Sequence, residues 1–453
     1  MSDTTYDVRV YKTEVYKGKR KTSHYVRWTV AKRPFKRPFG TAALADSFRS
    51  DLIAAARRGE AFRVDDGIPV ALSRVVVETS WFDFACDFID MKWPRAAATY
   101  RRSIAEALVS VTVALLDDQR GGPDRRVLRG ALFRWAFNTQ RRGTVGPAEI
   151  AAALGWARRH SPPVTVLSRP DVLRRVLDSI ALRLDGSIAA ATVIRRKRAV
   201  LYAAAEYAVE LGILERNPIP ELKWKAPAIS HEVDDRSVVN PIQARVLLAA
   251  VREVKWSGSR LAACFACSYY AALRPEEAIN LRLADVRLKD GDEWGEITLR
   301  RSAPHAGSEW TNSGAHRDDR GLKHRPVNAV RLVPISPELA TILRGHLAEF
   351  GVGDDGRLFR GVRGEQVPVI TYGRVWRRAR EIAFTPEVCA TPLAATPYAL
   401  RHAAVSTWLN AGVPATQVAK WAGHSVEVLL KVYARCLDRQ DHAVRERLRA
   451  ALL

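Results

Sequence analysis

Hydrophobic and polar positions change period twice along the chain. In "YDVRVYKTEVYKGKRK" and "HYVRWTVAKRPFKRPFG", β-branched and aromatic residues alternate with charged ones. A period of two places successive side chains on opposite faces and predicts strands. "KGKRKT" between them predicts a polar, basic turn. "TAALADSFRSDLIAAARRG" then shifts to helical spacing, with Thr41 as N-cap and Gly59 as the stop. "RVDDGIPVALS", rich in turn formers, marks a boundary.

Residues 78–223 carry helical spacing and no strand alternation, in "SWFDFACDFIDMKW", "AAATYRRSIAEALVSVTVALL", "AEIAAALGWARRH" and "RPDVLRRVLDSIALRL". "AATVIRRKRAVLYAAAEYAVELG" gives the clearest helix. Ile194, Leu201, Ala205, Ala208 and Leu211 form its apolar stripe, and Gly212 ends it. "WKAPAISHEVDDRS" reads as a linker, and the remainder mixes helices with a few strands. "EWGEITLR" and "AVRLVPIS" are the best strand candidates there, joined by a long polar loop from Arg301 to Asn328. The expected fold is mainly α with small β-sheets (α+β), in three units at residues 1–65, 78–223 and 235–453. A length of 453 residues allows three such units at ~150 residues each.

Charge narrows the choice of partner. Seventy-two Lys and Arg against 49 Asp and Glu leave +23. Such a surplus favours an extended polyanion, nucleic acid first; a generally basic protein without such a partner is the alternative. The first 40 residues hold 11 Lys or Arg against 3 acids, which makes Lys17, Lys19, Arg20, Lys21, Lys32, Arg33, Lys36 and Arg37 candidate DNA contacts. A solvated, aggregation-blocking edge strand would look the same. Arg195, Arg196, Lys197 and Arg198 crowd the first half of a helix, where the macrodipole gives cations no advantage. Phosphate backbone or a solvated face explains them.

The N-terminus "MSDTTYDVRV" has no secretory h-region. The longest uncharged apolar run, between Arg260 and Arg274, is 13 residues, short of the ~20 needed to span a bilayer. Five scattered cysteines suggest free thiols in a reducing cytoplasm. Cys264 and Cys267 form a CxxC without a second ligand pair, which reads as two small residues in a buried helix.

Three segments of the last unit carry chemistry: "YYAALRPEEAINLRLADV", "RGLKHRPVNAVRLVP" and "PYALRHAAVSTWLNAGVPATQVAKWAGHSVEVLLKVYARC". Singly, each residue in them has a structural reading: an arginine as ion pair, a Gly-His as a local hydrogen-bonding device, a tyrosine as core. Their order and spacing resemble the tyrosine recombinases, the phage integrase family, over most of the chain. Arg274 with Glu277 matches that family's "LR-x-x-E", and "GLKHR" offers Lys323 for its β-hairpin lysine. "YALRH" represents the "H-x-x-R-H" box, with Arg401 and His402. Gly423-His424 supplies the "GH" 23 residues after Arg401, and Tyr433 follows nine residues later as the nucleophile. "AVLYAAAEYAVELGILERNP" resembles the segment preceding the family's catalytic domain, and the basic N-terminal unit resembles an arm-binding domain. The middle unit then corresponds to a helical, SAM-like core-binding domain. An Arg- and Ala-rich composition resembles integrases of actinobacterial-type mobile elements. One position departs: Tyr398 stands where the family has histidine. A phenol can donate a hydrogen bond but cannot carry a positive charge. It is also a rival nucleophile, ranked below Tyr433 by spacing.

The resemblance implies DNA cleavage and rejoining through a 3′-phosphotyrosine. Arg274 and Arg401 would grip the non-bridging oxygens. His424 would bind the same phosphate or assist proton removal from Tyr433. Lys323 would protonate the departing 5′-oxygen, and Glu277 and His402 would support the site. No cofactor and no metal are expected. The implied partners are duplex attachment sites, three further protomers in a tetramer, and a host bending factor or an excisionase. The implied location is the cytoplasm, at the nucleoid. "DRQDHAVRERLRAALL" would form an amphipathic helix packing on its own domain or a neighbouring protomer. Two alternatives remain: a catalytically impaired sequence-specific DNA-binding protein, and a type IB topoisomerase-like nicking-closing enzyme.

Overall fold

The structure, a computed structural model, describes residues 3–17, 22–70, 79–116, 120–228, 233–322, 326, 329–433, 445, 449–450 and 452. The basic turn at residues 18–21, Lys323 and most of the C-terminal "DRQDHAVRERLRAALL" therefore lie outside the described residues.

The N-terminal unit is built on strand Thr22–Val30, antiparallel to Val8–Val10, Glu14–Lys17 and Arg33–Phe39. Alternation turns Val26, Trp28 and Val30 inward, against Ala45, Leu52 and Ala55 of helix Ala42–Arg57. The Thr41 side chain caps that helix by accepting from the Leu44 amide. "RVDDGIPVALS" begins inside this unit. Phe62–Arg63 pairs with Thr4–Thr5, and Trp28 Nε1 donates to the Gly67 carbonyl at 2.6 Å.

Among the described residues, the α-helices Trp81–Lys92, Ala98–Leu116, Arg125–Ala131, Ala148–His160, Pro170–Ile180 and Ala191–Glu210 follow. Ala98–Leu116 is buried on nearly every face from Ile104 onward, which makes it the central helix. The Arg125–Ala131 helix, absent from the sequence reading, is short and contains Gly130, so its period is hard to see. Ile194, Leu201, Ala205 and Ala208 face the core as the stripe requires, whereas Leu211 lies past the helix end and is exposed.

The last unit packs helices Pro241–Glu253, Gly258–Tyr270, Pro337–Phe350, Val369–Ala383 and Tyr398–Asn410 against a small sheet. In that sheet, Gly295–Leu299 pairs antiparallel with both Arg331–Ile335 and Val286–Arg287. Cys264 and Cys267 are buried as thiols within Gly258–Tyr270, and burial pushes Cys267 up to about 12. Among the described residues no helix is long and apolar enough to cross a membrane.

The stretch read as a long polar loop is different. Arg301–Ser302 pairs with Arg320–Gly321, and the chain between them projects into the helical unit. Trp310 is 1% exposed and sits in the core of that unit, against Trp93 and Phe133. Buried Arg101 donates to the Trp310 carbonyl at 3.0 Å and to Asn312 Oδ1 at 2.7 Å. Asn138 Nδ2 donates to the Glu309 carbonyl at 2.8 Å. One tryptophan among polar neighbours gives no periodicity to read, and its partners lie some 200 residues away.

Candidate active site

The site begins where the apolar helix Gly258–Tyr270 ends. Ala272 takes a left-handed turn at φ +48, and Pro275 keeps Arg274 in extended backbone, outside the helix that follows. Glu277, on the first turn after Pro275, reaches back so that its Oε2 accepts from the Arg274 amide at 2.9 Å. Its Oε1 accepts from Arg274 Nη1 at 2.8 Å. Arg331, at the start of Arg331–Ile335, adds a bidentate pair to both carboxylate oxygens, at 3.0 and 2.6 Å. Glu277 is 3% exposed and Arg331 2%. Burial alone would raise the Glu277 carboxyl, but Arg331 and Arg274 overcome it and hold it at about 2. The carboxylate thus stays ionised and fully committed to arginines.

Arg401, on helix Tyr398–Asn410, has no exposed surface. Its Nη1 donates to the Ala272 carbonyl and its Nη2 to the Ala422 carbonyl at 2.5 Å. Nη2 also lies 2.8 Å from His424 Nε2. A guanidinium can only donate, so His424 Nε2 accepts and the ring proton resides on Nδ1. Burial, then the charges of Arg401, Arg274 and Arg331, push His424 down to about 3, so the ring is neutral.

Gly423 makes this approach possible. It ends helix Ala415–Ala422 in the left-handed region at φ +69, and a Cβ there would meet Arg331 Nη1 at 2.3 Å. Its carbonyl also accepts from Arg274 Nη2 at 2.9 Å. The glycine therefore admits Arg331, anchors Arg274 and places His424 in one step.

Tyr433, at the end of helix Val426–Tyr433, is fully buried. Its Oη lies 2.9 Å from His402 Nδ1, and its ring stacks against His424 at 6.1 Å between centroids. Burial and Arg401 together push His402 down to about 4. Tyr398 is half-buried, its ring edge-on to His402 at 5.0 Å and 5.9 Å from the Arg401 guanidinium carbon.

Arg274, Glu277, Arg401, His402, His424 and Tyr433 are thus one cluster, with Tyr398 on its margin. The sequence reading missed Arg331. Its signal was present: in "RLVPI", Arg331 shares the inward face with Val333 and Ile335, and a charge there demands a buried partner. Among the described residues, the guanidiniums of Arg274, Arg331 and Arg401 gather around the Glu277 carboxylate, and Arg401 Nε, Arg331 Nε and His424 Nδ1 are buried without hydrogen-bond partners. Such a set of donors is short of negative charge and of acceptors. A phosphate would supply both.

The other candidate cations lie elsewhere. Lys32 forms the turn before Arg33–Phe39 at φ +64, and Arg33, Lys36 and Arg37 on that strand are exposed. The Lys36 ammonium sits 4.0 Å from the Tyr25 ring centre. The side chain of Lys17, and Lys19, Arg20 and Lys21 altogether, fall outside the described residues. On helix Ala191–Glu210, Arg195 donates to the Pro227 carbonyl and Arg196 pairs with Glu106 at 3.5 Å. Arg198 is half-buried. Lys197 faces a cavity of about 750 Å³ that Arg125, Arg126, Arg129 and Arg183 also line.

No protein-family profile matches the chain. In sequence it is 26% identical over 201 residues to "Putative integrase/recombinase y4rC" of Sinorhizobium fredii (strain NBRC 101917 / NGR234), covering 44% of this chain and 52% of that protein. The chain therefore matches about half the length of that curated relative. Among solved structures, it is similar to the Tn1549 transposon integrase in complex with transposon right end DNA. That match has a TM-score of 0.48 and 19% identity, over 72% of this chain and 99% of that one. Similarity to XerH site-specific recombinase bound to palindromic difH substrate has a TM-score of 0.42 and 11% identity, over 76% and 95%. A lambda integrase dimer bound to a COC′ core site gives 0.40 and 14%, over 66% and 91%. The curated relative and all three structures are, by their names, integrases or recombinases.

Proposed function

We propose that this chain is a tyrosine site-specific recombinase, which cuts and rejoins DNA through a 3′-phosphotyrosine to integrate or excise a mobile element. The observation that carries the reading is the convergence of Arg274, Arg401 and His424 on the pocket that holds Tyr433, with one carboxylate already neutralised by arginines. Tyrosine, with a free pKa of ~10, is a poor nucleophile near neutral pH unless the phosphate is activated and the proton has a destination. Arg274 and Arg401 would bind the non-bridging oxygens and stabilise the charge of the pentavalent transition state. They stay charged throughout, which suits arginine to this task. Glu277 and Arg331 hold Arg274 in place from behind. His424 accepts from Arg401 before substrate arrives, and so orients that guanidinium while offering Nδ1–H as a further donor.

In the forward step Tyr433 Oη bonds to phosphorus and the bond to the 5′-oxygen breaks, with Lys323 as the acid that protonates it. A 5′-hydroxyl of the partner duplex reverses these events. One phosphodiester replaces another, so no energy-rich cofactor is needed. Residues 1–65 would serve as the arm-type binding domain, 78–223 as the core-binding domain and 235–453 as the catalytic domain. Four protomers would assemble on the two duplexes, with a bending factor or excisionase setting direction. The exposed cations of Arg33–Phe39 and the Lys197 cavity suit phosphate-backbone contact.

The test is covalent capture. Purified protein is incubated with duplexes selected from a random pool by binding to it, then denatured and separated by size. Wild type is expected to form a protein–DNA adduct, and Tyr433→Phe to bind the same duplexes without forming one. Binding without any adduct in wild type would favour the impaired DNA-binding protein.

A further inference from the structure

Tyr433 must lose its proton as it attacks, and the site offers few places for it to go. Glu277 is closed to it, since both carboxylate oxygens already accept from Arg274 and Arg331. His424 is closed as well. Its one basic nitrogen, Nε2, is taken by Arg401, and its ring stacks against that of Tyr433. Tyr398 touches His402 through its ring edge and has no basic lone pair of use. Among the described residues, His402 is placed to take the proton: its Nδ1 stands 2.9 Å from Tyr433 Oη, within the reach that proton transfer requires.

Resting on the recombinase reading, we infer that His402 is a catalytic residue whose Nδ1 takes the Tyr433 proton. The Oη–H bond breaks toward Nδ1 as Oη bonds to phosphorus. The electron pair of the breaking P–O bond leaves on the 5′-oxygen, which takes its proton from a separate acid, assigned above to Lys323. In rejoining, the imidazolium returns its proton to the departing tyrosinate.

The surroundings of His402 suit this role. The charged and titratable groups facing it are Arg401 and Tyr398 from its own helix, Tyr433 from Val426–Tyr433, and His424 at the approach to that helix. Among the described residues none of these is anionic, and burial and the Arg401 charge hold the imidazole neutral, with a lone pair to offer. An incoming phosphate places negative charge beside Arg401 and offsets part of the positive field that depresses His402. The basicity of His402 then rises as the transition state gathers charge, which is when the proton moves.

The experiment measures single-turnover adduct formation by the full chain on nicked duplexes selected from a random pool by binding. His402→Asn keeps an acceptor near the Nδ1 position to hold the phenol but cannot take up a proton. It is expected to bind DNA as wild type does and to form adduct roughly 100-fold more slowly. His402→Ala is expected to be equally slow and to regain rate with added imidazole, in proportion to the free-base fraction as pH is varied. Adduct formation by His402→Asn within about threefold of wild type would overturn the assignment, as would an alanine variant that binds DNA but does not respond to imidazole. If wild type itself forms no adduct, the recombinase reading fails, an outcome distinct from either of these.

Discussion

Glu277 is where this site's charge balance is decided. A buried carboxylate between two guanidiniums contributes only while all three remain, because removing one partner strands the others. Glu277→Gln is therefore expected to destabilise the fold by ~3–5 kcal/mol at neutral pH, read by urea unfolding. The pH dependence has a definite sign. The carboxyl drops from an ordinary 4.5 to about 2 on folding, so its stabilisation is complete above 4.5 and is lost as pH falls toward 2. The gap between wild type and Glu277→Gln should hold from neutral pH to about 4.5 and narrow below it; a gap that widens on acidification would contradict the ion-pair account. His402 and His424, depressed from 6.5 to about 4 and about 3, make both proteins lose stability from pH 6.5 downward. Arg274, Glu277, Arg401, His402, His424 and Tyr433 came into view through the resemblance of their order and spacing to the tyrosine recombinase motifs. It did not show that His424 engages Arg401 while His402 engages Tyr433. That pairing depends on helix rotation, which sequence distance does not specify. Arg331 was legible in principle, since strand alternation gives it an inward face.

At the scale of elements, the long helices were readable because each buries one stripe at helical spacing, as Ile194, Leu201, Ala205 and Ala208 do. The strands Gly295–Leu299 and Arg331–Ile335 were readable by alternation. The segment between Arg301–Ser302 and Arg320–Gly321 was not, because its order comes from distant partners: Trp93, Arg101, Phe133 and Asn138. Trp310 pins it to the helical core, and the same segment leads along the chain to Lys323. Trp310→Ala should cost ~3–5 kcal/mol and loosen the whole projection. Limited trypsin digestion under native conditions would then cut after Arg317 and Arg320 faster than in wild type. Equal protection of those bonds would mean that the tryptophan does not hold the segment.

At the scale of the molecule, the +23 net charge and the open cationic surfaces predict binding governed by counterion release. If the protein neutralises six to ten phosphates, affinity should fall by roughly 10³–10⁵ between 50 and 200 mM salt. Filter-binding titrations across that range would measure the slope, and a flat profile would exclude a nucleic-acid partner. The proposed reaction is more specific than binding, because it would join one tyrosine covalently to DNA. Mass spectrometry of the nuclease- and protease-trimmed adduct tests it most directly. A nucleotide 3′-phosphate is expected on the peptide containing Tyr433. The same mass increment on the peptide containing Tyr398, with Tyr433 unmodified, would contradict it.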